Sequence, residues 1–189
     1  AVRNPANRRL LKKDIEDFLV EIPRERPPRI VLIFYAGHAI QDGDKIFLVP
    51  VHADPKTRED LKNMCLSHDD LFRMLKVHVD DEIEVENVLY IVILDACRKA
   101  LGGANVQTQF SPEIHEPLPE KRPYHWVLCT STSRGAVAAD GEDGHSPFTE
   151  ALMSTECGMF RQDVPLNWAL KMVCQTLREQ GEQEPCFMP

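Results

Sequence analysis

The sequence predicts one α/β domain in which a mostly parallel sheet is covered by helices on both faces. Helix-like and strand-like segments alternate along the 189 residues, and such alternation indicates a parallel sheet with helical crossovers. Two apolar runs, residues 30–35 and 88–94, are short and rich in β-branched side chains, as buried strands are. With 43% hydrophobic residues, the chain can bury one substantial core.

The first half of the chain predicts a helix, a strand and a hairpin. Residues 7–22 carry apolar side chains at helical spacing, and Pro23 ends that pattern. Residues 30–35 form an unbroken apolar run, which predicts a strand buried on both faces. Residues 41–44 predict a turn and Lys45–Val49 a short strand after it. Ser67, three residues before Asp70, predicts the start of a second helix.

The second half predicts an exposed loop and then further strands and helices. Residues 99–124 contain paired glycines and four prolines without periodicity, which is typical of a loop. Residues 126–130 predict a third long strand. Ser146-Pro147 predicts a helix start. A last helix follows Pro165 and ends near Gly181, and Cys186–Met188 predict a short final strand.

Charge and composition exclude several classes of function. The net charge of −8 argues against nucleic acid as a partner and is compatible with basic peptide substrates. Six separate cysteines without paired spacing favour a reducing, cytoplasmic compartment. No apolar run is long enough to span a membrane, so no membrane association is expected. Because the chain begins with Ala1, we expect it to be a piece of a longer protein.

A histidine and a cysteine follow the two long predicted strands. His38 comes shortly after residues 30–35, and Cys97 comes shortly after residues 88–94. The carboxyl ends of parallel strands meet at one edge of a sheet, where ligands bind. A thiol needs a base to supply thiolate, and an imidazole can then return the proton to a leaving amine. The pattern predicts a cysteine–histidine dyad.

These segments resemble the caspase-like cysteine peptidases. The likeness is carried by Tyr35-Ala36-Gly37-His38 and by Leu94-Asp95-Ala96-Cys97-Arg98-Lys99. The paracaspase branch is the most similar, through Phe34-Tyr35-Ala36-Gly37-His38, Phe47-Leu48-Val49-Pro50-Val51 and Asp95-Ala96-Cys97-Arg98-Lys99, and metacaspases come second. Gly144-His145-Ser146-Pro147-Phe148-Thr149 also resembles a segment of that fold. The resemblance spans residues 10–185.

The resemblance implies a three-layer αβα sandwich and an endopeptidase that cleaves after arginine or lysine through a thioester acyl-enzyme. His38 would be the general base and acid, and Cys97 the nucleophile. The backbone N–H groups of Ala39 and Cys97 would form the oxyanion hole. Asp95 and Asp140 would bind the basic side chain of the substrate.

Two departures from the family pattern are visible. Ala39 stands where the family usually has glycine, and its Cβ would strain the backbone if the position required a positive φ. The first strand, helix and second strand of the fold are also missing from this chain. Without them, residues 30–35 would form an apolar sheet edge, which favours aggregation.

The resemblance implies no cofactor, although calcium is an option if the chain is metacaspase-like. Residues 80–82 and 140–143 are the acidic stretches that could bind it. The implied partners are protein or peptide substrates with a basic residue before the cleaved bond, and a homodimer through the last strand is plausible. The loop 99–124 occupies the position of a processing linker, with Lys121-Arg122 as a candidate self-cleavage site.

Other interpretations remain open for each residue. Cys97 could be a small buried hydrophobe, His38 a structural turn residue, and Asp95 a cap for the following turn. Asp140 could belong to a solvated acidic loop. The whole domain could be a catalytically weak or inactive interaction scaffold, or an unrelated α/β domain. A metal site of His52, Cys65 and His68 fits no familiar zinc spacing.

Overall fold

A computed structural model describes residues 7–22, 30–43, 45–80, 88–97, 99–100, 125–132, 145–154, 158, 164–181 and 185–188. The helices are α1 (Arg8–Glu21), α2 (Arg58–Met64), α3 (His68–Asp80), α4 (Pro147–Met153) and α5 (Leu166–Gln180). The strands are β1 (Ile30–Asp42), β2 (Lys45–Val49), β3 (Leu66–Ser67), β4 (Leu89–Ala96), β5 (Lys99–Ala100), β6 (His125–Thr130) and β7 (Cys186–Met188).

The described strands form one mixed sheet with a parallel centre. Its order is β3-β2-β1-β4-β6-β7, and β5 pairs with the far end of β1. β4 is parallel to β1 on one side and to β6 on the other. The outer pairs β1–β2, β2–β3 and β6–β7 are antiparallel. The predicted parallel sheet is therefore confirmed for the centre, and antiparallel strands flank it.

Two helical layers pack on the two faces of β4, because its side chains alternate between them. One face forms a cluster with α1 and α3 that includes Leu11, Leu19, Val31, Tyr35, Leu71, Leu75, Tyr90, Val92 and Leu94. The other face forms a cluster with α4 and α5 that includes Ile91, Ile93, Cys129, Phe148, Leu170, Val173 and Leu177. The three-layer arrangement predicted from the family resemblance is confirmed.

Capping residues are found at the predicted starts of α3 and α4 and at the predicted end of α5. The Ser67 hydroxyl accepts the Asp70 N–H at 3.1 Å at the start of α3. Ser146 caps α4 in the same way, accepting the Thr149 N–H at 3.0 Å. Gly181 ends α5 with a φ of 72°, a left-handed conformation that favours glycine.

Three elements differ from the sequence prediction. β1 continues to Asp42, because its second half pairs with β2 and leaves only a tight turn at Gly43. α2 was not predicted, although Thr57 and Asp60 form a reciprocal capping box at its start. Lys99–Ala100 form β5 within the predicted loop, and the remainder of that loop lies outside the described residues.

The prediction that residues 30–35 are buried on both faces is wrong. Ile30 and Phe34 are 55% and 45% exposed, and Leu32 between them is also exposed. The helices α4 and α5 lie over β4 and β6, and no described helix covers this face of β1. Within the described part of the chain, no strand pairs with residues 30–37 on the side opposite β4. Among the residues that the structure describes, this side of β1 is therefore an apolar edge, as expected.

Replacing Phe34 by threonine is expected to reduce self-association of the protein. The substitution interrupts an exposed apolar stripe beside an unpaired strand edge, and threonine keeps a good strand propensity. Light scattering at increasing protein concentration measures the effect. Val20→Thr is the matched control, because Val20 is 79% exposed on α1, away from the sheet edge. Equal behaviour of the two variants would contradict the prediction.

None of the helices in the described ranges is both long enough and apolar enough to cross a bilayer.

Candidate active site

His38 of β1 faces Cys97, which directly follows β4. The register pairs Gly37 with Ala96 before them and Ile40 with Lys99 after them. The residue numbers of both flanking pairs differ by 59, and so do those of His38 and Cys97. The same offset before and after the site places the two residues opposite each other, and adjacent strands are roughly 5 Å apart.

Both side chains belong to the same face of the sheet. Paired residues of parallel strands project to the same side, and the direction alternates along each strand. Ile91 and Ile93 of β4 face α4 and α5, so the alternation places Asp95 and Cys97 on that face too. His38 is exposed and Cys97 is half-buried. The imidazole and the thiol are therefore open to a ligand on the uncovered side of β1.

The backbone after His38 is held by a tyrosine. The Tyr35 hydroxyl lies 2.9 Å from the His38 carbonyl and 3.0 Å from the Val49 carbonyl, and its single proton is shared between these two acceptors. One hydroxyl reaches both oxygens because both carbonyls point into the space between β1 and β2. In a planar trans peptide the N–H points the opposite way. The Ala39 N–H is consequently directed to the side of β4 and β5.

Ala39 itself occupies ordinary strand backbone. It pairs with Leu48 of β2 and is buried in the cluster beneath α1 and α3. Extended backbone of this kind accepts any residue. The strain that would arise from a positive φ at this position is absent, because Ala39 lies within β1.

The backbone before Cys97 is held by two hydroxyls that follow β6. The buried Ser131 Oγ accepts the Ala96 N–H at 3.1 Å and also donates to the Ala96 carbonyl at 3.4 Å. The Thr132 hydroxyl donates to the same carbonyl at 3.2 Å. Thr130 in turn donates to the Thr132 carbonyl at 3.0 Å, which fixes this segment. The Ala96 carbonyl thus points toward β6, and the Cys97 N–H points toward β1.

Asp95 joins the end of β4 to the start of α4. Asp95 is only 6% exposed. The Asp95 Oδ2 accepts a hydrogen bond from the Ser146 hydroxyl and another, at 2.5 Å, from the Thr149 hydroxyl. Both bonds fall on one oxygen, and Oδ1 accepts none within the described residues. Asp95 is therefore a buried carboxylate with one oxygen tied to α4 and the other available on the face shared with Cys97.

Cys65, Cys129 and Cys174 are poorly suited to act as nucleophiles. Cys65 is buried, and burial raises the pKa of its thiol to about 11. Cys129 and Cys174 are also buried, and a hydrogen bond from Cys129 lowers the pKa of Cys174. Thiolate attack requires access to the substrate as well as deprotonation. Of the four cysteines whose burial the structure describes, Cys97 is the partly exposed one and Cys65, Cys129 and Cys174 are buried.

The candidate metal ligands have other roles or lie outside the described residues. His68 Nδ1 accepts the Ile46 N–H at 3.1 Å, so its ring joins α3 to β2. No group of three or more His, Cys, Asp or Glu side chains in the described ranges could hold a metal ion. Asp140, predicted to bind substrate, lies outside the described residues, and so do residues 140–143 and 81–82 of the acidic stretches considered for calcium.

The hydroxyl groups around the site were not predicted as site residues. Ser131, Thr132 and Thr149 act on residues more than thirty positions away in the sequence. The hydroxyl run Thr130-Ser131-Thr132-Ser133, which follows a predicted strand, was the available signal. Buried hydroxyl groups need hydrogen-bond partners, and such a run beside a strand end indicates bonds to the neighbouring backbone.

Comparison with known proteins identifies the family. A family model described as a caspase domain matches residues 5–189. The search of curated proteins finds no match. Among solved structures, the crystal structure of caspase-1 from Spodoptera frugiperda is similar, with a TM-score of 0.60 at 14% sequence identity. At that identity, the likeness shows the fold alone.

The structural match covers 95% of this chain and 66% of that caspase, so this chain spans just under two thirds of its length. The family model covers nearly every residue of the chain. The parallel β1–β4 centre and the helical layers on both faces agree with this fold. The chain belongs to the caspase domain family.

Proposed function

We propose that this chain is a cysteine endopeptidase that cleaves after arginine or lysine, as the paracaspase branch does. The observation that carries the proposal is the register across the β1–β4 pair, which puts His38 opposite Cys97 on one face of the sheet. A half-buried thiol beside an exposed imidazole has the two groups that nucleophilic catalysis by cysteine requires.

The reaction would proceed in two steps. His38 takes the proton of the Cys97 thiol, and the thiolate attacks the substrate carbonyl carbon to form a tetrahedral oxyanion. The intermediate collapses as His38 gives its proton to the departing amine, which leaves a thioester on Cys97. A water molecule then attacks the thioester with His38 as the base, and the thiol is released.

The preference for a basic substrate residue rests on Asp95. This buried carboxylate lies two residues before Cys97, on the same face, and its Oδ1 remains available. A carboxylate oxygen accepts charge-assisted hydrogen bonds from a guanidinium or ammonium group. Asp140 is proposed as a second acidic group of the pocket, on the basis of the family resemblance alone.

Hydrolysis of fluorogenic peptides tests the proposal. Four otherwise identical peptides would end in arginine, lysine, aspartate or citrulline, the last being a neutral isostere of arginine. We expect cleavage of the arginine and lysine peptides, and loss of that cleavage in Cys97→Ala. Cys65→Ala is the matched control, because Cys65 is buried away from the site. No hydrolysis of any peptide by folded protein would overturn the proposal.

An inactive scaffold is the second candidate, and Ala39 is the residue that favours it. Under that alternative, Ala39→Gly would restore activity by allowing the family backbone. Because Ala39 occupies an ordinary strand position, we expect instead no gain in activity and a loss of about 1 kcal/mol in the free energy of unfolding. Kinetics and denaturant unfolding of this variant measure both quantities. A large rise in turnover from a nearly inactive parent would favour the scaffold.

A further inference from the structure

We infer that Cys129 and Cys174 form a reversible disulfide when a peroxide reaches the protein, and that this bond fixes helix α5 to strand β6. Cys129 lies in β6 and Cys174 in α5, and both are free thiols in the structure. The site involves neither His38 nor Cys97, so the inference is independent of the proposed peptidase function.

The two thiols meet where α5 packs on the sheet. Cys129 belongs to the buried cluster that also contains Leu170, Val173 and Leu177 of α5. Cys174 directly follows Val173, is buried on the same helix, and accepts a hydrogen bond from the Cys129 thiol. Their sulfur atoms are thus in contact across the boundary between helix and sheet. A disulfide needs a sulfur–sulfur distance of about 2.05 Å, and the two side chains close the remaining gap by rotation about χ1 and a small shift of α5.

The surroundings make Cys174 the more reactive thiol of the pair. The hydrogen bond from Cys129 lowers the pKa of Cys174, and the Arg178 guanidinium lowers it as well, against the opposite effect of burial. Arg178 is held in place by its hydrogen bond to the Pro185 carbonyl at 3.4 Å. The thiolate is the form that a peroxide oxidises. Burial excludes a peptide, but a peroxide is little larger than water and reaches Cys174, which is 6% exposed, before the fully buried Cys129.

The reaction consumes one molecule of hydrogen peroxide. The Cys174 thiolate attacks one peroxide oxygen, so an S–O bond forms, the O–O bond breaks, and the leaving hydroxide takes up the thiol proton as water. Cys174 is then a sulfenic acid. The Cys129 sulfur attacks the Cys174 sulfur, so the S–S bond forms, the S–O bond breaks, and the leaving hydroxide takes up the Cys129 proton as water. The two thiols are oxidised to a disulfide, and the peroxide is reduced to two molecules of water.

The bond ties together segments that are far apart in the sequence. It closes a loop over residues 129–174, which includes all of α4 and the first half of α5. A cross-link of this kind restricts the unfolded chain more than the folded one and so stabilises the fold. We expect the oxidised protein to unfold at a temperature roughly 5–10 °C higher than the reduced protein. In a reducing compartment the bond persists only while an oxidant is supplied, as redox-sensing disulfides do.

Peptide mapping after peroxide treatment tests the inference. The full chain is treated with hydrogen peroxide under native conditions, the remaining thiols are blocked with N-ethylmaleimide, and the protein is digested with trypsin without reduction. Trypsin places each of the six cysteines in a different peptide, so mass spectrometry identifies every pairing. We expect the peptide that contains Cys129 to be joined to the peptide that contains Cys174, and dithiothreitol to separate them.

Cys65 provides the matched control. It is also deeply buried, but it lies in a separate cluster with Phe47, Val49 and Leu61, and burial raises the pKa of its thiol to about 11. Cys65 should stay a free thiol, and Cys65→Ala should keep the rise in unfolding temperature on oxidation. Cys174→Ala should abolish that rise, because the bond cannot form.

Three results would overturn the inference. The first is that Cys129 and Cys174 both remain free thiols under peroxide that oxidises Cys97. The second is that Cys174 pairs with a different cysteine. The third is that the cross-linked protein unfolds at the same temperature as the reduced protein, because the bond then does not restrain α5. If Cys174→Ala does not fold, the peptide map of the unsubstituted protein and its two unfolding temperatures still decide between these results.

Discussion

Replacing His38 by glutamine is expected to lower kcat/KM by about 10²–10⁴-fold, the range typical of a general acid–base group. His38 is exposed and lies opposite Cys97, so the variant loses the base without losing a core contact. Thermal unfolding should therefore be unchanged. The rate at which iodoacetamide alkylates Cys97 should fall as well, because less thiolate is supplied. Steady-state kinetics with the arginine peptide and alkylation followed by mass spectrometry measure these two effects.

His52→Gln is the control for this prediction. His52 is exposed in the turn after β2 and has no part in the proposed reaction. Its kinetic constants should equal those of the unmodified protein. A His38→Gln variant with nearly full activity would show that Cys97 works without this imidazole, and the proposed dyad would then be wrong.

Replacing Asp95 by asparagine is expected to reduce the preference for arginine over citrulline by about tenfold or more, since a hydrogen bond to a charged group contributes about 1.5–3 kcal/mol. The amide keeps the shape of the side chain but cannot attract a guanidinium by charge. The ratio of kcat/KM for the arginine and citrulline peptides measures this preference directly. Turnover of the citrulline peptide should change little.

Asp95 also has a structural role, which the substitution Asp95→Ala tests. Asp95 Oδ2 accepts hydrogen bonds from the hydroxyls of Ser146 and Thr149 at the start of α4. Asp95→Ala should therefore lower the free energy of unfolding by about 3 kcal/mol, because hydrogen bonds to a buried charge are lost. Ser146→Ala and Thr149→Val should each cost part of that amount and leave a preference for arginine. If Asp95→Asn changes stability but not the ratio of kcat/KM for the arginine and citrulline peptides, the carboxylate stabilises the position of α4 and does not bind the basic side chain of the substrate.

Local signals in the sequence predicted most of the secondary structure. Capping residues such as Ser67 and Ser146 act on their own helices, so their effect is visible within a few positions of the chain. The closeness of His38 and Cys97 could also be predicted, because two apolar runs define the two central strands that carry them to the site. Their separation of 59 residues is the register offset itself, and that could be recognised only once the pairing was known.

The remaining features depend on packing between distant segments. The exposure of Ile30 and Phe34 could not be predicted from their apolar side chains, because their burial depends on whether a helix packs over that face of the strand. The bonds from Ser146 to Asp95 and from Thr132 to Ala96 join residues 51 and 36 positions apart. No short-range pattern encodes such a pair. The sequence alone therefore predicted that His38 and Cys97 lie near each other, but not the groups that hold the backbone around them.

The central claim is that Cys97 is a nucleophile in a site that selects a basic residue. The most direct test is a peptidyl chloromethyl ketone that ends in arginine, compared with the same reagent ending in aspartate. The thiolate displaces chloride and forms a thioether, and peptide mapping by mass spectrometry locates the adduct. We predict rapid and complete modification at Cys97 by the arginine reagent and slow modification by the aspartate reagent. Modification of other cysteines instead of Cys97, or faster reaction of the aspartate reagent, would contradict the account.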